Sequence, residues 1–206
     1  ARWRGCQRAV PRAKGRPGRG GSHREGRQRG AEARRRGRGR GRGADAPEVG
    51  AGTVLGIAGS PGRDGNSERF LDACLAGARD AGASVWKLPV VEYGISPCRG
   101  CNACSLTGEC VIKDRMREVY ALLDSAAAIV VSTPVFFATV PAVLKGLLSR
   151  ATPYWARRYE LGLPAPEKRP GGLRVVRGGG DPDGTECAVR TIRSGLAVWG
   201  LTLEGP

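Results

Sequence analysis

Apolar residues along this 206-residue chain come in short unbroken runs, separated by stretches where they recur every three or four positions. Thr53-Val-Leu-Gly-Ile-Ala58 is such a run and ends in Gly59-Ser60. A strand covered on both faces loses the apolar–polar alternation, so the run predicts a buried strand of a parallel sheet. Phe70, Leu71, Cys74, Leu75 and Ala78 then repeat at helical spacing as far as Ala81, with Cys74 on the apolar face and predicted to be core. Ser84–Leu88 predicts a second strand. Asp114, Met116, Val119, Tyr120, Leu122 and Leu123 predict the next helix, and Ala128–Ser132 a third strand. Val140, Val143, Leu144, Leu147 and Leu148 mark a helix that carries Lys145 and Arg150. The stretch Tyr154–Arg169, interrupted by Pro164 and Pro166, predicts an irregular excursion. Gly172–Val176 is the fourth strand, Val189, Ile192, Leu196 and Trp199 outline a helix, and Leu201–Leu203 starts a fifth strand.

Strand and helix alternate throughout, which predicts an α/β fold with a doubly wound parallel sheet. Ligands in such sheets lie beyond the carboxyl ends of the strands. The loops predicted at that edge are 59–67, 133–139 and 177–184, and the segment after the second strand is expected to open onto the same edge. Residues 126–144 lack a charge and are long enough to flag a membrane span. Pro134 and Pro141 break them, and strand, loop and helix start is the better reading.

Composition alters this picture at one end only. The formal charge is +15, but residues 1–50 hold 16 Lys and Arg against 4 Asp and Glu, and the remainder hold 18 against 15. Residues 1–50 are Arg, Gly and Ala with few large apolar side chains, a composition that predicts a disordered tail preceding one domain at 51–206. Two readings of the tail stand. It is an arm for nucleic acid, for which its lone aromatic residue, Trp3, is a poor match. Alternatively, because the chain begins with Ala and its single Met is Met116, the tail is upstream sequence read as protein, with the native start near Val49 or Val54. The second reading is preferred, and nucleic acid is not an expected partner. The only histidine, His23, lies in this tail. The domain therefore contains no Ser-His or Cys-His catalytic pair and no Cys/His zinc site.

Four of the seven cysteines, Cys98, Cys101, Cys104 and Cys110, fall in one run spaced C-x2-C-x2-C-x5-C. The first gaps match those of ferredoxin-type iron–sulfur runs, whereas structural zinc sites usually separate two C-x2-C pairs by a longer loop. The spacing favours a cluster over zinc. An odd cysteine count and clustered thiols that must stay reduced predict a cytoplasmic protein and not a disulfide framework. The loop Gly59-Ser-Pro-Gly-Arg-Asp-Gly-Asn-Ser67, between strand and helix, suits a phosphate: N–H groups at a helix start and the side chains of Ser60, Asn66 and Ser67 can bind the dianion. It matches neither the dinucleotide nor the nucleoside-triphosphate fingerprint. Asn66 or Ser67 acting simply as a helix N-cap explains it equally well.

Together, the 59–67 loop, the run C-R-G-C-N-A-C-S-L-T-G-E-C-V-I-K-D at 98–114 and T-P-V-F-F at 133–137 with Lys145 resemble the NAD(P)H-dependent FMN reductase family. More narrowly they resemble its iron–sulfur flavoprotein branch. The resemblance covers Val54 to about Leu203. It implies a flavodoxin-like sheet of five strands in the order 2-1-3-4-5. It also implies that Ser60, Gly65, Asn66 and Ser67 hold the FMN phosphate, with Arg63 replacing the arginine usual one position earlier. Pro134, Val135, Phe136 and Phe137 would line the isoalloxazine, Gly178, Gly179 and Gly180 would approach its other edge, and the four cysteines would ligate a [4Fe–4S] cluster. NAD(P)H as cosubstrate, a small-molecule or protein electron donor or acceptor, and a homodimer follow from the resemblance alone. Ser149 stands where the family often has Asp, and a final helix is absent, which predicts a truncated chain. No catalytic side chain is assigned. The alternative is a cluster-free FMN or quinone reductase, its cysteines remnants or a zinc staple.

Overall fold

The computed structural model describes residues 52–179 and 182–203. The Arg-rich segment 1–50 and Gly180 lie outside the described residues. Five parallel strands, β1 (Thr53–Ala58), β2 (Ser84–Pro89), β3 (Ala128–Pro134), β4 (Arg169–Val176) and β5 (Leu201–Leu203), form one sheet in the order β2-β1-β3-β4-β5. The helices are α1 (Asn66–Asp80), α2 (Cys104–Thr107), α3 (Met116–Ser125), α4 (Ala142–Ser149), α5 (Thr152–Tyr159) and α6 (Pro182–Val198).

Side chains alternate across each strand, so the register decides which residues share a core. Leu55 pairs with Ile129, Ile57 with both Leu88 and Val131, and Val131 with Leu173. These positions face a large core completed by Met116, Val119, Leu122 and Leu123 of α3, Leu144 and Leu147 of α4, and Ile192, Leu196 and Trp199 of α6. Burying one such aliphatic side chain stabilises the fold by about 1.5–3 kcal/mol. The opposite face carries a much smaller cluster, in which Ala58 of β1 meets Leu71 and Leu75 of α1 over Val54, Val85 and Val130.

Three expectations need correction. Residues 152–159 are helix, because Pro153 occupies the first turn of α5, where its missing N–H costs nothing. Strand β4 starts at Arg169, three positions earlier than expected, with Arg169↔Leu201 and Pro170↔Thr202 pairing it to β5. Cys74 is half-buried and Phe70 is 55% exposed, because α1 covers its sheet face mainly through Leu71 and Leu75. No helix among the described residues is long and apolar enough to cross a membrane.

Candidate functional site

The sheet is wholly parallel, so the loops after β1 and β3 leave from its carboxyl edge. Gly59 follows β1, and its N–H donates to Ser132 O at 2.8 Å. A Cβ there would stand 2.6 Å from Leu144 Cδ2, so only glycine lets α4 pack this close to the end of β1. Buried Ser132 in turn donates its hydroxyl to Ser67 O at 2.6 Å, tying the first turn of α1 to β3.

Helix α1 begins at Gly65 in extended conformation, with no side-chain capping bond. Neither Asn66 nor Ser67 is the N-cap; Ser67 is buried in the first turn and Asn66 is exposed. A helix start without a side-chain cap leaves N–H groups for an anion. Ser60 Oγ accepts the Gly62 N–H at 3.1 Å within the loop.

An acidic neighbour of this loop went unnoticed in the sequence. Glu68, 4% exposed in the first turn of α1, accepts the Asp64 N–H at 2.7 Å. It pairs with Lys87 of β2 at 2.7 Å and with Arg63 at 3.3 Å. Arg63 also contacts Glu92, so its guanidinium is spread between two carboxylates. Burial raises the Glu68 carboxyl, but the Lys87 and Asp64 hydrogen bonds and the charges of Lys87 and Arg63 outweigh it, holding the pKa below the ordinary glutamate value. The two cations neutralise a carboxylate that would otherwise repel any anion at the helix start.

The loop after β3 turns sharply. Phe136 and Thr139 exchange both backbone hydrogen bonds, at 2.8 and 3.1 Å, around Phe137 and Ala138 with φ of 47° and 63°. Two successive positive φ angles are the pattern of a type I′ turn, for which asparagine and glycine are the usual residues. A bulky residue there is strained. The turn leaves Phe137 fully exposed and Phe136 44% exposed, beside half-buried Pro134 and Val135. Gly178 and Gly179, exposed after β4, complete the carboxyl-edge set.

The cysteine loop winds through left-handed residues Gly100 (φ 66°), Asn102 (φ 56°) and Gly108 (φ 73°) around the short helix α2. Cys98, Cys101, Cys104 and Cys110 all line one cavity partly open to solvent, and Arg150, Thr152 and Pro153 line it from the α4–α5 junction. Cys98 Sγ accepts the Gly100 N–H at 3.4 Å and the Thr152 hydroxyl at 3.8 Å, while the Cys98 N–H donates to Ser149 Oγ at 3.0 Å. Arg157 Nε of α5 donates to Gly108 O at 2.8 Å. Burial pushes the Cys104 thiol up, with further repulsion from Cys98, Cys110 and Cys101. Among the described residues no three His, Cys, Asp or Glu side chains are grouped as for a metal ion. Four thiols lining one cavity are a donor set of the kind that a metal or an iron–sulfur cluster uses.

None of the residues lining this cavity comes from 59–67 or 133–139. Helix α4 links the two candidate sites along the chain, its start following the aromatic turn and its end, Ser149 and Arg150, meeting the cysteine loop. Its 8 residues span roughly 12 Å.

A model of the NADPH-dependent FMN reductase family matches residues 53–180. An iron–sulfur flavoprotein of Archaeoglobus fulgidus is 32% identical over 152 residues, 74% of this chain and 66% of that protein, so the match spans just under two thirds of the relative's length. A second iron–sulfur flavoprotein of the same organism is 32% identical over 139 residues, 68% of each chain. Among solved structures, the NAD(P)H:quinone oxidoreductase of Methanothermobacter marburgensis superposes with a TM-score of 0.55 at 19% identity, over 75% of this chain and 82% of that one. At that identity the likeness concerns the fold.

Proposed function

Because this chain belongs to the NADPH-dependent FMN reductase family, in its iron–sulfur flavoprotein branch, and is an FMN oxidoreductase, we propose that it passes electrons between a reduced donor, FMN and a [4Fe–4S] cluster. When bound, FMN handles electrons in pairs or singly and the cluster handles them one at a time, so the pair converts two-electron to one-electron chemistry. NADPH is the donor that the family's name supports.

The residues supply binding and orientation. N–H groups at the start of α1 and the side chains of Ser60, Asn66 and Ser67 receive the FMN phosphate, and Gly65 keeps the approach open. Arg63 contributes its charge indirectly, by neutralising Glu68 together with Lys87. Pro134, Val135, Phe136 and Phe137 offer an apolar wall for the isoalloxazine, and Gly178–Gly180 close its far edge. The four cysteines hold the cluster as thiolates, Cys98 steadied by the Gly100 N–H and the Thr152 hydroxyl. Exposed Leu106, Val111, Trp155, Tyr159, Leu161 and Leu163, on and around the cysteine loop and α5, support a homodimer.

The observation that carries this reading is the convergence of all four cysteines on one cavity. Its test is the absorption spectrum of anaerobically purified protein with iron and sulfide analysis, on wild type and Cys101→Ala. Wild type is expected to hold FMN, iron and sulfide, and the variant to lose its iron while retaining FMN. Flavin without iron in the wild type would leave a cluster-free reductase, and neither cofactor would end both readings.

A further inference from the structure

Arg150 caps the end of α4 and is 1% exposed. Its guanidinium is fully charged and carries five N–H donors. Nη1 donates to Ser96 O at 2.8 Å and to Asp114 Oδ2 at 2.8 Å, and Nη2 donates to Asp114 Oδ1 at 3.2 Å. Asp114 is fixed in its turn, accepting the Ser96 N–H at 3.0 Å and the Met116 N–H at 3.1 Å. The Arg150 carbonyl accepts the Tyr120 hydroxyl at 2.8 Å, so the residue is held at both ends.

One nitrogen is left over. Arg150 Nε is buried and has no hydrogen-bond partner among the described residues. Burying an unsatisfied donor of a charged group costs stability, so a fold that retains one calls for an explanation. Arg150 is also among the residues lining the cavity of the four cysteines, whereas Asp114 is not. Arg150, and not Asp114, therefore belongs to the cavity wall. Burial opposes the Arg150 charge, but the Asp114 bond outweighs it and holds its pKa above the ordinary arginine value.

We propose that Arg150 sets the reduction potential of the [4Fe–4S] cluster, with Nε–H as a hydrogen-bond donor to the sulfur of the cluster or its thiolates. The inference rests on the cluster reading above. Cluster potentials depend on net charge and on hydrogen bonds to the sulfurs. Reduction adds one electron from an external reductant, with no bond made or broken, and leaves one more negative charge in the cavity. A donor and the positive end of an ion pair favour that state, so Arg150 raises the potential. Arg150 acts here as a positioning and tuning residue and takes no electron itself.

The test is an anaerobic redox titration of the full chain with dithionite, followed by electron paramagnetic resonance, on wild type, Arg150→Lys and Asp114→Asn, with iron, sulfide and FMN measured for each. Arg150→Lys keeps the charge and loses the Nε donor. Its reduction equilibrium is expected to weaken by about tenfold, about 59 mV for a one-electron couple. Asp114→Asn removes the counter-charge, and its potential is expected to move upward. A purely structural role would change iron content without moving the two potentials in opposite directions. Iron-loaded variants with the wild-type potential would overturn this inference alone. Should Arg150→Lys shed its iron, Asp114→Asn decides, and a potential that fails to rise overturns the proposal. Wild type holding FMN but no iron would overturn the cluster reading and this inference with it.

Discussion

Phe137 joins a local cost to a candidate role. Its φ of 47°, followed by 63° at Ala138, places two non-glycine residues in the left-handed region, and its side chain is fully exposed. Strain of this kind costs on the order of 1–3 kcal/mol per residue and persists where the surroundings enforce it. The two backbone bonds between Phe136 and Thr139 are the enforcement. Phe137→Gly is therefore expected to raise stability by about 1 kcal/mol, after the entropy that glycine adds to the unfolded chain. The same variant is expected to weaken FMN binding, since the aromatic wall is shortened. Chemical denaturation of apoprotein and flavin titration measure the two effects, and an unchanged flavin Kd would remove Phe137 from the site. The motif T-P-V-F-F was readable in the sequence. The strain was not, because it arises from the reversal between β3 and α4.

At the scale of elements, the start of α1 depends on β2, the strand that follows it in the chain. Lys87 of β2 neutralises Glu68 and also pairs with Asp72 at 2.6 Å. Lys87→Met would leave Glu68, 4% exposed, with Arg63 as its remaining cation. That variant is expected to bind FMN several-fold more weakly, because the uncompensated carboxylate repels the phosphate. The pH dependence has a definite sign. The folded Glu68 pKa lies below its ordinary value, so its contribution to stability is present above about pH 4.3 and is lost as pH falls through the depressed folded pKa. The melting-temperature difference between wild type and Lys87→Met is expected to be largest near neutrality and to shrink in acid. A difference that is independent of pH would show that Lys87 acts through packing. The loop 59–67 was legible as a candidate phosphate loop, since its small and polar residues sit between a strand and a helix. Glu68 and Lys87 were not, because they meet only when β2 pairs beside β1.

For the whole molecule, the family match at 53–180 and the sheet beginning at Thr53 locate the flavin chemistry outside the basic segment. Residues 1–50 carry most of the net charge of +15 and lie outside the family match. A chain limited to 51–206 is expected to bind FMN with the affinity of the full chain and to sediment as a dimer. Flavin titration and analytical ultracentrifugation check both. A large loss of flavin affinity on truncation would assign the tail a part in the site.

The sequence by itself determined the class of fold, since buried runs alternating with helical repeats leave a parallel sheet with covered faces as the consistent solution. It also supplied the candidate donors, because C-x2-C-x2-C-x5-C is written in one short run at 98–110. Tertiary structure decided what these parts meet. The cysteine cavity is completed by Arg150, Thr152 and Pro153, some forty residues further along. Helix α4 links it to the aromatic turn. Such contacts depend on how α4 and α5 pack against the cysteine loop, and local spacing carries no record of packing between elements distant in the chain.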